Sequence, residues 1–174
     1  MIIYLNTIYK SKLIFKRKFF PCQLGKNGRV PSYKKREGDK CTPLGKFIIK
    51  SIFLRKDKKL NIRLRKSIKR KIFYIRENYG WCDDVRSKQY NQLVDLIPNF
   101  DYSHEKLYRS DDVYDITLEL NFNQNPIFKN KGSAIFIHCS FNDLRNTNGC
   151  VALKKNNLKF IINNLQKINY IYIR

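Results

Sequence analysis

Apolar and polar residues alternate in short runs along the chain. Each run predicts a half-buried β-strand, because successive side chains of a strand leave on opposite faces. The clearest are 60–65 (Leu-Asn-Ile-Arg-Leu-Arg), 115–120 (Asp-Ile-Thr-Leu-Glu-Leu) and 134–138 (Ala-Ile-Phe-Ile-His). Clusters rich in Gly, Pro, Asn and Asp at 25–28, 37–45, 80–84, 121–126 and 142–149 read as turns or loops between them. One segment has the helical period instead: Leu158, Ile161, Ile162 and Leu165 share a face, with Asn and Lys opposite, and a last strand at 170–173 follows. Short strands separated by turn signals, with little helix, predict a mainly β fold, a sandwich or barrel with a few short helices. No repeat, linker or low-complexity tract marks a boundary, so residues 1–174 read as a single domain.

Composition supports the strands. Aromatic residues make up 14% of the chain, with 11 Tyr and 12 Phe against one Trp, and the 43% hydrophobic content is enough for a core. The formal net charge of +22 brings in a rival, a basic module that binds nucleic acid or another anionic polymer. Most of the lysines, however, are scattered among Ile and Asn. The one dense stretch, 55–71, reads as a solvated strand face plus loop. Zinc-finger spacing, basic heptads and a Gly-aromatic RNA-binding signature are all missing, so no specific nucleic acid is expected as a partner.

Five cysteines at 22, 41, 82, 139 and 150 are an odd number without a Cys-x-x-Cys pair, which implies neither a disulfide framework nor a zinc cage. The apolar run at the N-terminus is cut by Asn6, Lys10 and Lys12, short of the ~7–15 apolar residues of a signal-peptide core. Neither a signal peptide nor a transmembrane segment is expected.

The chemistry concentrates near the C-terminus. The run ending at His138 is followed by a polar loop and then by Thr147-Asn148-Gly149-Cys150. Strand alternation puts Phe136 and His138 on one face and Ile135, Ile137 and Cys139 on the other, so Cys139 reads as core. Cys150 follows His138 by 12 positions, a loop long enough to fold back beside the imidazole. A neighbouring imidazolium lowers a thiol pKa from ~8.5 to roughly 3.5–7.5, which predicts a standing thiolate. Gly149 permits a tight path, and the amides of Gly149 and Cys150 are candidates to hold an oxyanion. The second ring nitrogen of His138 needs an acceptor, sought in the 140–147 loop. The competing reading makes Cys150 a small buried hydrophobe and His138 a structural residue.

The segment 132–153 resembles the active-site motif of the L,D-transpeptidase catalytic domain, also called the YkuD/ErfK type, in which a strand-borne His precedes a Ser/Thr-x-Gly-Cys loop. Further blocks agree in order: Lys35-Arg36-Glu37-Gly38-Asp39 with Thr42 to Phe47, Gly80-Trp81-Cys82-Asp83-Asp84, Tyr90-Asn91, Ser103 to Arg109, and Val113-Tyr114-Asp115. The likeness is strongest over 20–174 and is closest to a branch of short, single-domain members. Two positions depart from the commonest form, which has His before the Gly-Cys and Arg two residues after it, where this chain has Asn148 and Ala152. The His-to-Cys spacing is also shorter.

The resemblance implies a β-sandwich with its site in a cleft, acting on peptidoglycan stem peptides as a monomer. Cys150 attacks the donor peptide to give a thioester, His138 handles the proton, and an amine then resolves the thioester into a crosslink; water in its place makes the protein an L,D-carboxypeptidase. No metal or organic cofactor is implied. Thr147, Asn148, Tyr114 and His104, with Glu105, are candidates to line the donor cleft. Cys82, Asp83 and Asp84 carry a weak metal-binding alternative. The implied location is the cell envelope or periplasm, with the cytoplasm left open by the N-terminus.

Overall fold

The computed structural model describes residues 2–6, 10–64, 71–165 and 170–174. In chain order these form β1 (Ile2–Asn6), β2 (Lys10–Phe15), β3 (Lys18–Gln23), β4 (Arg29–Pro31), β5 (Thr42–Leu54), β6 (Lys71–Tyr74), β7 (Tyr79–Cys82), β8 (Leu93–Asp95) and β9 (His104–Lys106). Then come β10 (Ile116–Leu120), β11 (Phe136–Cys139), β12 (Val151–Leu153), α1 (Lys155–Asn163) and β13 (Tyr170–Ile173). The chain is mainly β, with α1 and a 3-10 turn at Ser32–Lys34 as the helices among the described residues.

One ladder runs β10-β11-β12-β3-β2-β1-β13-β5, and β5 pairs back onto β10, so the ladder closes and opposite walls form the two layers of a sandwich. The 13-residue β5 makes this possible: residues 45–48 pair with β13, and residues 49–54 pair with β10. Closure leaves no free edge along this ladder. Between the walls lies an aliphatic core that includes Leu13, Ile52, Leu118, Val151 and Ile171, all fully buried. The predicted helix is α1, and the four residues of its predicted face, Leu158, Ile161, Ile162 and Leu165, are all fully buried in this core. Burial of each such side chain is worth roughly 1.5–3 kcal/mol relative to exposure.

A second, aromatic cluster lies outside that core, made of Phe53, Ile75, Trp81, Leu107, Val113, Tyr114 and Phe136 and backed by the separate sheet β8-β7-β9. Trp81 meets the ring of Phe136 edge-on at 5.0 Å, and its indole N–H donates to Asn91 Oδ1 at 3.0 Å. β11 divides the two regions as its alternation requires: Ile137 and Cys139 enter the aliphatic core, Phe136 the aromatic one.

Several expected elements change. Residues 60–64 form no strand; residue 65 lies outside the described residues. Leu60 is buried, Ile62 and Leu64 pack on the aliphatic core, and the Arg63 amide donates to the Asn163 side chain. Alternation there satisfies burial without a ladder partner. The 115–120 run does contain β10, but every β10 residue is buried, because β5 and β11 flank it and both faces are covered. The third strand starts at Phe136 rather than at 134, since Ala134 adopts a left-handed backbone with φ 50°. Gly80 to Cys82, expected in a loop, lie in β7: a Cβ at Gly80 would sit 2.8 Å from Leu96 Cδ2, so glycine lets the strand pack closely there. In the basic stretch, Arg55 is buried rather than solvated, bonded to Asp57 and stacked 3.5 Å over the Tyr108 ring.

Candidate active site

His138 sits on β11 between β10 and β12 and is only 2% exposed. Its Nδ1 donates to the carbonyl of Cys139 at 2.8 Å, which leaves Nε2 with its lone pair. The acceptor thus comes from the strand itself, not from the 140–147 loop. Tyr114 and Phe141 meet the ring edge-on at 5.3 and 6.4 Å. Burial lowers the imidazole pKa to about 4, so the ring is neutral at physiological pH.

The loop that delivers Cys150 is fastened at Thr147. Its amide donates to Leu24 C=O, its carbonyl accepts from the Lys26 amide, and it bridges to Gly25. Its buried hydroxyl donates to the Cys150 carbonyl at 2.7 Å and accepts the Gly149 amide at 3.1 Å. Gly149 has φ +137°, and a Cβ there would meet the Cys41 carbonyl at 3.0 Å, so the position needs glycine. The Cys150 thiol donates to Ala134 C=O at 3.0 Å and accepts the Phe136 amide at 3.3 Å.

Burial pushes the Cys150 thiol up to about 12, and the Glu105 carboxylate adds to the effect. The expected standing thiolate is therefore absent: two neutral groups rest in the site, so any attack by this thiol would require proton transfer along with it. The expected pair of oxyanion amides is also reduced. The Gly149 amide is taken by Thr147, while among the described residues no acceptor is found for the Cys150 amide.

Cys150, His138, Tyr114, Thr147 and Asn148 all line one cavity of about 740 Å³, within the range of ligand pockets. Asn148 is exposed at its mouth, whereas Thr147 has its hydroxyl committed to the loop and works as a clamp. His104 does not line the cavity. Its ring packs on Phe100 and bonds to the Tyr102 carbonyl, and its strand neighbour Glu105 faces the cavity in its place. Ala152 is fully buried on β12 opposite Gln23, so an arginine at this position would have no room.

Beside Glu105, a sequence candidate that does line the cavity, other wall residues escape a reading built on the Cys/His pair. Lys35, Glu37, Asp83, Glu105 and Arg109 contribute to the cavity. Arg109 bonds to Glu105 at 2.9 Å, and burial together with the Asp83 charge raises the Glu105 pKa against that pairing. All five residues belong to sequence blocks that carry the family resemblance; Glu37 sits where turn chemistry is the simpler reading. Of the weak metal alternative, Cys82 is fully buried and Asp84 is bonded to Arg86.

Among the described residues no helix is long and apolar enough to cross a membrane. No curated protein and no solved structure matches the chain. The family model of the L,D-transpeptidase catalytic domain, YkuD, matches residues 6–173, nearly the whole length. With that match over a mainly β sandwich, the chain belongs to the L,D-transpeptidase catalytic domain family.

Proposed function

We propose that residues 1–174 form one monomeric catalytic domain, a cysteine acyltransferase that acts on peptidoglycan stem peptides through a thioester on Cys150. The observation that carries the reading is the shared cavity, with a thiol in one wall and, in the same enclosure, an imidazole whose Nδ1 is tied back so that Nε2 is the proton acceptor. Cys150 is the nucleophile and His138 the base. Gly149 gives the loop its path, Thr147 holds it, and Tyr114 packs the imidazole, while Asn148 meets the substrate at the mouth. The donor is a tetrapeptide stem: attack at its third residue releases the terminal amino acid and leaves the acyl group on sulfur. An amine of a second stem then gives a crosslink, and water gives the shortened peptide. Such chemistry belongs in the cell envelope.

Because the resting thiol is protonated, general-base help from His138 is required in the attacking step, a contribution typically of about 10²–10⁴ in rate. The test is intact-mass detection of an adduct between the protein and a tetrapeptide donor or a carbapenem, mapped by peptide. An adduct on Cys150 that Cys150→Ala abolishes is the expected result. Acylation at another cysteine, or none with either reagent, overturns the reading. Product analysis with and without an amine acceptor separates transfer from hydrolysis.

A further inference from the structure

One cation in the cavity wall is buried far beyond the norm for its kind. Lys35 is only 3% exposed, whereas lysine ammonium groups are almost never buried without a partner or a task. Its stem crosses Gly132, where a Cβ would lie 3.0 Å from Lys35 Cγ and 3.2 Å from Cε; only a glycine at 132 leaves it that track. Two residues further on is Ala134, whose carbonyl holds the Cys150 thiol. The Lys35 ammonium donates to the Arg36 carbonyl at 3.1 Å and to the Asp39 carboxylate. Asp39 in turn accepts the amides of Arg36 at 2.8 Å and Cys41 at 2.9 Å, so the anchor is fixed. An ammonium has three hydrogens, and two are spent here.

The proposed chemistry is short of one donor. A carbonyl under attack by sulfur places negative charge on its oxygen, and such sites ordinarily offer two preorganised donors. Of the two amides expected to hold the oxyanion, Gly149's is engaged by Thr147, and the Cys150 amide is left. Lys35 lines the same cavity, and its charge acts on the Cys150 thiol in favour of the thiolate.

Resting on the Cys150 thioester reading, we propose that Lys35 is a further catalytic residue whose third ammonium hydrogen is donated to the substrate carbonyl oxygen as it becomes an oxyanion. In that step the S–C bond forms, the carbonyl π pair moves onto oxygen, and the thiol proton passes to His138 Nε2. On collapse the pair returns, the C–N bond breaks, and the leaving amine takes the proton from His138. Lys35 keeps its own proton throughout.

The experiment compares the wild-type chain with Lys35→Met, Lys35→Gln and Lys35→Arg, using single-turnover acylation of Cys150 by a tetrapeptide donor and by the same donor amidated at its C-terminus. Circular dichroism reports folding. Lys35→Gln retains a neutral donor for Asp39 and serves if Lys35→Met does not fold. The expected result is a fall of about 10²–10³ in the acylation rate constant, with the donor concentration at half-maximal rate nearly unchanged and the loss equal for both donors. Lys35→Arg, which restores a cationic donor, recovers at least about a tenth of the wild-type rate on the same account. Wild-type rates in folded Lys35→Met or Lys35→Gln overturn the proposal. So does weakened binding confined to the acid donor, which makes Lys35 a reader of the terminal carboxylate instead. Failure of the wild-type protein to form any Cys150 adduct strikes the thioester reading itself and removes this inference with it.

Discussion

The two buried clusters on either side of β11 are held together in different ways. Inside the closed ladder the contacts are mainly aliphatic, with Leu and Ile from β2, β5, β10, β11, β12 and β13 meeting α1 and few polar atoms to satisfy. Outside it, aromatic rings share space with an amide hub: Asn91 accepts from the Trp81 indole and the Ala134 amide, and donates to the carbonyls of Phe122 and Asn123. All four hydrogen-bonding positions of that side chain are filled, as burial demands. The aliphatic region tolerates volume-conserving change, because dispersion and desolvation are not directional. The aromatic region fixes directions, and it is there that Cys150 packs. Stability is therefore expected to concentrate on one side and chemistry on the other.

That division can be broken by substitution. Cys150→Ser should abolish the adduct in mass spectra with the melting transition almost unmoved; an adduct that survives removes the nucleophile from this side. His138→Gln should slow acylation by about 10²–10⁴. A rate within threefold of wild type means that the imidazole takes no proton. Thr147→Val deletes both bonds of the clamp, with an expected cost of about 1–3 kcal/mol in denaturant unfolding and roughly a tenfold loss of rate. A loss of stability without any loss of rate would confine Thr147 to a structural part. Leu158→Ala should cost about 2–5 kcal/mol of stability and leave single-turnover rates alone at temperatures where the protein is folded. A rate defect in that variant would show that the two clusters are coupled through β11.

A pH series sharpens the same contrast. The unfolded chain protonates His138 near the ordinary histidine value of 6.5, whereas in the fold burial holds it down to about 4. The unfolded state binds the extra proton between those values, so stability falls as pH drops from about 6.5 towards 4, by on the order of 3 kcal/mol in all. The slope should be missing in His138→Gln. Alkylation of Cys150 by iodoacetamide should rise steeply only at strongly alkaline pH, given a thiol near 12. A plateau at neutral pH would contradict the neutral resting pair.

Much of the fold could be read from the chain, because its signals are local. The spacing of Leu158, Ile161, Ile162 and Leu165 identified α1, and alternation around Phe136 and His138 sorted β11 onto its two faces. Residues 60–64 misled because alternation reports burial, and hydrogen bonding to a neighbour is a separate matter that depends on distant chain. The proposed nucleophile and base are suggested by the Thr-Asn-Gly-Cys loop after a strand that carries histidine, together with the family resemblance. Their protonation states are not, since these depend on burial by the tertiary packing, to which Tyr114 comes from a segment distant in sequence. Lys35 stays unassigned in the sequence for a related reason: nothing in its local stretch marks it as buried, and the approach of Gly132 and Asp39 shows it turned inward.

The parallel pairing of β1 with β13, which joins Ile2 to Tyr172, has a temporal side. During synthesis the ring stays open between β1 and β5 until residues 170–173 have left the ribosome. Cys150 is then already translated, yet the strand that closes the barrel around its supports is still missing. On this account the nascent polypeptide carries the Cys150 thiol before the ladder behind its loop has closed.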